Sequence, residues 1–191
     1  MPEPIALMSL WLPIVLSAVG AFIASTVLWM VIQWHNSDWK QLPDEDGLRK
    51  ALNAAGVKGG LYMVPYCKGN KDMGSESFQA KTKEGPCGML IMRNPGAWNM
   101  GSSLAGWFVY LLCVSLATAY VASRTLPAGA DYLAVFRIAG TVAVLAYSAA
   151  TFPAAIWEGR PWGHVLKNAA DGAIYGLITA GFFGMLWPAA A

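Results

Sequence analysis

Charge is scarce in this sequence. Only 13% of its 191 residues are Asp, Glu, Lys or Arg, against roughly 25% in an ordinary soluble domain. The net charge is +2 and the longest basic run is Arg49–Lys50, so no electrostatic footprint for nucleic acid is present. There are two histidines and three cysteines. No HExxH, CxxCH, paired CxxC, GxSxG, P-loop or dinucleotide fingerprint occurs among them. No internal repeat and no low-complexity segment stands out. What remains is 56% hydrophobic, with a mean hydropathy of +0.43. Nine Trp, seven Tyr and seven Phe suit the two membrane–water interfaces, where amphipathic rings settle.

These totals point to an integral membrane protein, and four stretches are long enough to cross. Residues 5–34 run without a charge. That run is too long for a signal-peptide core, and the leader at 1–4 carries no Lys or Arg. It reads as one tilted, overlong helix kinked at Pro13. The second span is 102–123 and the third 132–152. Residues 170–187 form the fourth, apolar except for Asp171. Gly172, Gly176, Ala180 and Gly184 recur there at every fourth position, making a bare ridge that lets another helix approach closely. Ser17, Ala21 and Ser25 give the first span a similar ridge, a natural partner. Ser115, Ala119 and Ser123 repeat the spacing in the second span; Ala139 with Ala143, then Ala146 with Ala150, do so in the third. The fold class is therefore all-α, a four-helix transmembrane bundle with a small α/β insertion between its first two spans. The domains are 1–34, an extramembrane insertion at 35–100, and 101–191 with an interfacial linker at 153–169.

The insertion holds nine of the 13 Lys and Arg. Asp44 can cap a helix whose apolar stripe is Leu48, Ala51, Leu52 and Ala55, with Gly56 just beyond its end. Two strand-like runs follow, 60–66 and 88–92, with Pro65 restricting the first to an edge and a short helix near 77–83 between them. Pairing Met63 with Ile91 sets Cys67 opposite Cys87, a geometry for a disulfide worth about 3 kcal/mol; the alternative is two free thiols. Cys113 lies in the second span as packing. Lys40, Arg93, Arg160 and Lys167 flank the insertion side of the membrane and Arg124 and Arg137 the other. The positive-inside rule thus places the insertion in the cytoplasm of a plasma or inner membrane, whereas a disulfide favours the outside.

Chemistry has few candidates. His35 and His164 fall near the same membrane face, and with Glu158 and Asp171 they make a possible metal set, or haem ligands, under the insertion as a lid. The simpler account leaves both imidazoles solvated at the interface, and the sequence favours it. Asp171 and Arg137 are ionisable residues within spans. The first turns of a helix and Lys167 one turn away stabilise Asp171; Arg137 can snorkel. No catalytic residue and no cofactor is predicted. The expectation is a non-catalytic membrane protein, an accessory or scaffolding subunit or small homo-oligomer. Its partners are the lipid bilayer and other membrane helices, with no nucleic acid. A metal- or haem-binding enzyme and a small transporter or channel are the alternatives, although the spans show neither midplane charges nor inverted repeats.

Overall fold

The computed structural model describes residues 5–96 and 98–190; the leader at 1–4 lies outside them. The chain forms two compact units, one gathering residues up to Trp39 with those from Asn99 onward, the other Lys40–Trp98. Residues 35–39, expected in the insertion, therefore belong with the apolar helices.

The first stretch is not one continuous α-helix. A 3-10 turn, Leu7–Leu10, leads into α1, Trp11–Thr26. Pro13 stands in the first turn of α1, where its missing N–H has no α-helical partner to lose; the mid-helix kink is not needed. At the far end the helix widens to a π turn over Val27–Ile32. Gln33 then adopts a left-handed conformation (φ 54°), and a 3-10 turn, Trp34–Asp38, follows.

In the polar unit, α2 spans Glu45–Ala54 and is capped by Asp44, whose Oδ1 accepts from Gly47 N at 2.9 Å. The strands β1, Gly60–Val64, and β2, Gly88–Met92, pair antiparallel. Between them lie two helices: α3, Asn70–Met73, which the sequence did not announce, and α4, Glu76–Glu84. The register sets Met63 against Met89 and Leu61 against Ile91, two residues away from the expected one. Cys67 and Cys87 are consequently not opposite, and both are free. Each thiol instead reaches a carbonyl, Cys67 to Gly69 O at 3.1 Å and Cys87 to Thr82 O at 3.4 Å.

Three helical stretches are long and apolar enough to cross a membrane: Leu7–Ile32, Met100–Thr125 and Tyr132–Glu158. The second is α5, Met100–Thr125, opened by Asn99, whose Oδ1 accepts from Ser102 N at 3.1 Å. The third combines α6, Tyr132–Ser148, a 3-10 turn and α7, Phe152–Glu158. Gly159, at φ 73°, turns the chain as only glycine does readily. The last helix, α8, then runs from Trp162 to Met185. It lies outside the set of three, because Lys167, Asp171 and its many small residues dilute its apolar content. It also begins eight residues before position 170, so the expected interfacial linker is shared between α7 and α8.

α8 is the centre of this unit, with its most extensive contacts to α6 and then to α1. Its small-residue ridge faces α6 rather than the ridge of α1. A Cβ added at Gly172 would lie 2.8 Å from the Tyr147 backbone, one at Gly176 2.7 Å from Val144 N, and one at Gly184 2.6 Å from the Tyr132 ring. At the fourth ridge position the closeness is mutual, since a Cβ on Gly140 would sit 3.2 Å from that of Ala180. The small residues of α1 serve another helix as well: Ser17 Oγ donates to Ser115 Oγ at 3.0 Å, and Trp107 Nε1 donates to Ser25 Oγ at 3.0 Å. Ser115, Ala119 and Ser123 are buried, as are Ala139 and Ala143, while Ala146 and Ala150 are exposed.

The seam makes a direct prediction. Gly176→Leu forces backbones apart and should lower the thermal midpoint in detergent, at a cost of about 1–3 kcal/mol or more. Gly181→Ala, where nothing lies within 4 Å of the added carbon, should leave it unchanged. Equal midpoints for the two variants would place the packing seam elsewhere.

Candidate functional site

The π turn and the left-handed Gln33 bring two aromatic side chains back onto α8. Trp29, in the π turn, stacks on His35 with ring centroids 4.1 Å apart and planes 8° from parallel. Its indole Nε1 donates to Asp171 Oδ2 at 3.1 Å. His35 is 2% exposed, and both its ring nitrogens face acids: Nδ1 lies 2.8 Å from Asp38 Oδ2, Nε2 3.0 Å from Asp171 Oδ2. A ring carrying both N–H bonds satisfies both carboxylates.

Asp38 is the other hub. Its Oδ2 also takes His164 Nδ1 at 3.0 Å, and its Oδ1 accepts from Lys167 Nζ at 2.7 Å. Lys167 further donates to Trp34 O and Ser37 Oγ, each at 2.7 Å. The Lys167 hydrogen bond holds the Asp38 carboxyl well below the usual carboxylate range; bonds from His164 and His35 act in the same direction, against the opposing effect of burial. His164 has an assignable tautomer. Asn168 Nδ2 donates to the His164 carbonyl at 2.8 Å and lies 3.1 Å from His164 Nε2. Nε2 is thus the acceptor, and Nδ1–H donates to Asp38.

The structure therefore brings together His35, His164 and Asp171 from the expected set, and leaves Glu158 apart. Glu158 is exposed and accepts from Arg160 Nε at 3.1 Å. Of the two imidazoles His35 is enclosed, whereas the His164 side chain keeps 21% of its surface exposed. Asp171 also differs from expectation. Because α8 starts at Trp162, Asp171 lies about 13 Å of helical rise from its N-terminus, beyond the reach of the terminal dipole. Lys167 bonds Asp38 instead of it. Sequence reading missed Asp38, Trp29 and the true role of Lys167. A signal for Asp38 existed, since His35 and Asp38 are spaced by one helical turn between Trp34 and Trp39.

His35, Asp38 and His164 also offer one ligand atom each within 4.8 Å of one another, the approach a metal needs. Binding through both Nδ1 atoms would move the His164 proton to Nε2, against the Asn168 amide, and would set a cation near the Lys167 ammonium. The hydrogen-bonded arrangement is the self-consistent one.

Beside this network is a half-open cavity of about 830 Å³, lined by α1 with its π turn, α5, α6, α7 and α8. α5 and α6 meet at the short 126–131 turn, and the cavity lies between their far ends, with Met100 and Ser103 on one side and Ala150 and Ala154 on the other. No family model matches the sequence, and no curated protein and no solved structure is similar to it.

The Asp38 environment predicts an acid-sensitive bundle. Its folded carboxyl titrates below the unfolded one, so its contribution to stability is complete above about pH 4 and is lost as pH falls through the folded value. The wild-type melting temperature should decline on acidification below about pH 4. Asp38→Asn should melt lower at neutral pH and show a flatter acid limb. An unchanged limb in the variant would assign the acid sensitivity to other carboxylates.

Proposed function

We propose that this chain is a non-catalytic integral membrane protein of four spans, acting as an accessory or scaffolding component in a plasma or inner membrane. The observation that supports the reading is how fully the two histidines, Asp38 and Lys167 are engaged within the chain. Asp171 Oδ1 is the carboxylate oxygen of the cluster left without a partner among the described residues, and it is closed off from any substrate. Both nitrogens of His35, both oxygens of Asp38, both nitrogens of His164 and the Lys167 ammonium are engaged with one another, with Asp171 or with nearby groups of the chain. A general base or nucleophile needs a free atom facing a substrate. Groups committed in this way instead fasten residues 34–38 to α8.

The fourth span rests on the α6–α8 seam. Gly172 lies at Tyr147 and Ser148, Gly176 at Val144, and Gly184 at Tyr132. α8 therefore runs antiparallel to α6 along nearly its whole length, at the depths α6 occupies in a bilayer. Four crossings put both ends of the described chain on one side and residues 40–98 on the other. The positive-inside rule, with Lys40, Arg93, Arg160 and Lys167 on that second side, makes it the cytoplasm. The lipid-facing sides of α1 and α5, exposed at Val15, Ile23, Val109 and Leu116, are then available to other membrane helices, from copies of this chain or from a larger complex.

A single cysteine at Lys71, with Cys67, Cys87 and Cys113 replaced, should resist a membrane-impermeant maleimide added outside intact cells and react after permeabilisation. Labelling from outside would reverse the orientation. Native mass spectrometry from mild detergent should show the chain associated with copies of itself or other membrane chains; a uniformly monomeric species would overturn the scaffolding reading.

The second reading, a metal or haem site, is favoured by the short separation of the His35, Asp38 and His164 ligand atoms. A chelator series decides between them. The metal-free hydrogen-bonded network should melt at the same temperature with and without chelator and show no visible absorption. A metal-bound state would lose stability on metal removal, in proportion to the logarithm of the metal concentration over its dissociation constant.

A further inference from the structure

The hairpin of the polar unit has an uncovered apolar face. In its register Leu61 stands opposite Ile91 and Met63 opposite Met89. Residues directly across an antiparallel pair point to one side of the sheet, and residues two apart along a strand share that side. One face is therefore built from a leucine, an isoleucine and two methionines. Leu61 is 70% exposed, Ile91 67% and Met63 43%, so among the described residues no helix covers them. A two-stranded sheet without a packing layer is marginal in water, and contiguous exposed apolar side chains mark a contact surface.

Charge and connectivity indicate what covers it. Residues 57–68 and 85–94 hold the two strands and their flanks. They contain Lys58, Lys68 and Arg93, all exposed, and no Asp or Glu. The acids of this unit sit instead at α2, α3 and α4. Lys58 and Arg93 flank the end where β1 begins and β2 finishes, and Lys68 follows β1 at the other end. Two exposed aromatics lie close in sequence: Tyr66, just past β1, and Trp98, over whose ring the Arg93 guanidinium stands at 3.9 Å. Such rings settle at a membrane–water boundary. An apolar face flanked by cations binds an anionic lipid surface through both terms together. The same cations oppose the pairing of two copies of this face, like charge against like. The chain also joins this unit at both ends to helical stretches of membrane-crossing length, Leu7–Ile32 and Met100–Thr125. A bilayer is then present at high effective concentration, whereas a soluble partner has to arrive by diffusion.

We propose that the Leu61–Met63–Met89–Ile91 face of the hairpin docks on the anionic phospholipid surface of the membrane the chain spans, its four side chains entering the headgroup–acyl boundary and Lys58, Lys68 and Arg93 meeting lipid phosphates. The proposal rests on the membrane reading above and deepens it. Residues 40–98 are a lipid-reading element, whose docked fraction follows the anionic lipid content of the leaflet.

Environment-sensitive fluorophores on single cysteines test this in the full chain, with Cys67, Cys87 and Cys113 replaced and one chain reconstituted per nanodisc. The labelled variants are Leu61→Cys and Ile91→Cys on the face, Asn53→Cys on α2, and Val109→Cys on the lipid-facing side of α5. Discs are phosphatidylcholine alone or mixed with phosphatidylglycerol, with or without lipids brominated near the top of the acyl chain. In the anionic discs the Leu61 and Ile91 probes should shift to the blue and be quenched by bromine, while the Asn53 probe stays water-like. Omitting phosphatidylglycerol should lower the ratio of docked to undocked hairpin by on the order of tenfold or more, and salt at roughly 0.5 M should act in the same direction. Lys58→Glu combined with Lys68→Glu, both at exposed positions, should reproduce that loss in the anionic discs. Face probes as wet as Asn53 would overturn the proposal. So would dry face probes without bromine quenching, dryness that appears only with two chains per disc, or equal docking on both kinds of disc. The Val109 probe separates the two readings: quenched beside a wet hairpin, it leaves the membrane reading standing and removes only the docking; wet itself, it removes both.

Discussion

A carboxylate taken out of water must have its charge and its lone pairs met nearby, and Asp38 is where this protein depends on that requirement most. One oxygen serves two histidines and the other serves Lys167. Those partners come from two distant parts of the chain, the 3-10 turn after α1 and the first turns of α8. Removing one partner strands the others, because breaking a buried pair leaves uncompensated charge while the intact pair adds little net stability. The cluster is therefore better understood as fixing which surfaces of α1 and α8 meet than as the source of the fold's stability.

That stability comes from close packing. Between α6 and α8 Gly172, Gly176 and Gly184 remove Cβ atoms that would hold the helices apart, and the gain is van der Waals contact, the main attraction between helices wherever the surroundings are equally apolar. Hydroxyls complete it: Ser148 Oγ donates to Ala169 O at 2.9 Å, and Thr118 and Thr179 each bond a carbonyl of their own helix. The seam fixes depth and the polar cluster fixes rotation. Together they hold Asp171 beside the cavity with one oxygen committed and the other free.

The membrane character was legible because it depends on composition and run length alone. The helix capped by Asp44 and the short helix between the two strands were legible from local chemistry. The bare ridge of α8 could be read, but its partner could not, since several spans carry small residues at the same spacing and only three-dimensional fit selects among them. The strand register failed by two residues because alternation fixes which face a side chain takes and leaves slips by an even number unpunished. At the polar cluster, His35, His164 and Asp171 were visible as rare residues in an apolar chain. Asp38 was hidden among the polar residues that open the insertion, and its burial depends on a chain reversal at Gln33 that no proline or glycine marks. Asp171 was misread as the anion of a helix start because α8 extends back through residues that look interfacial.

The π turn over Val27–Ile32 carries a consequence for how this sequence can diverge. A π turn holds one more residue than the α-helix would over the same rise, and everything after it is rotated accordingly. Tightening the same six residues to α-helical pitch would swing everything after them by one residue's rotation, about 100°, and carry His35 away from both acids at once with no side chain in the cluster altered. Substitutions along the lipid-facing side of α1 leave this geometry untouched. Length and pitch between Ser25 and His35 are thus coupled: a wide turn of this length, or an α-helical segment one residue shorter, presents His35 in the same direction.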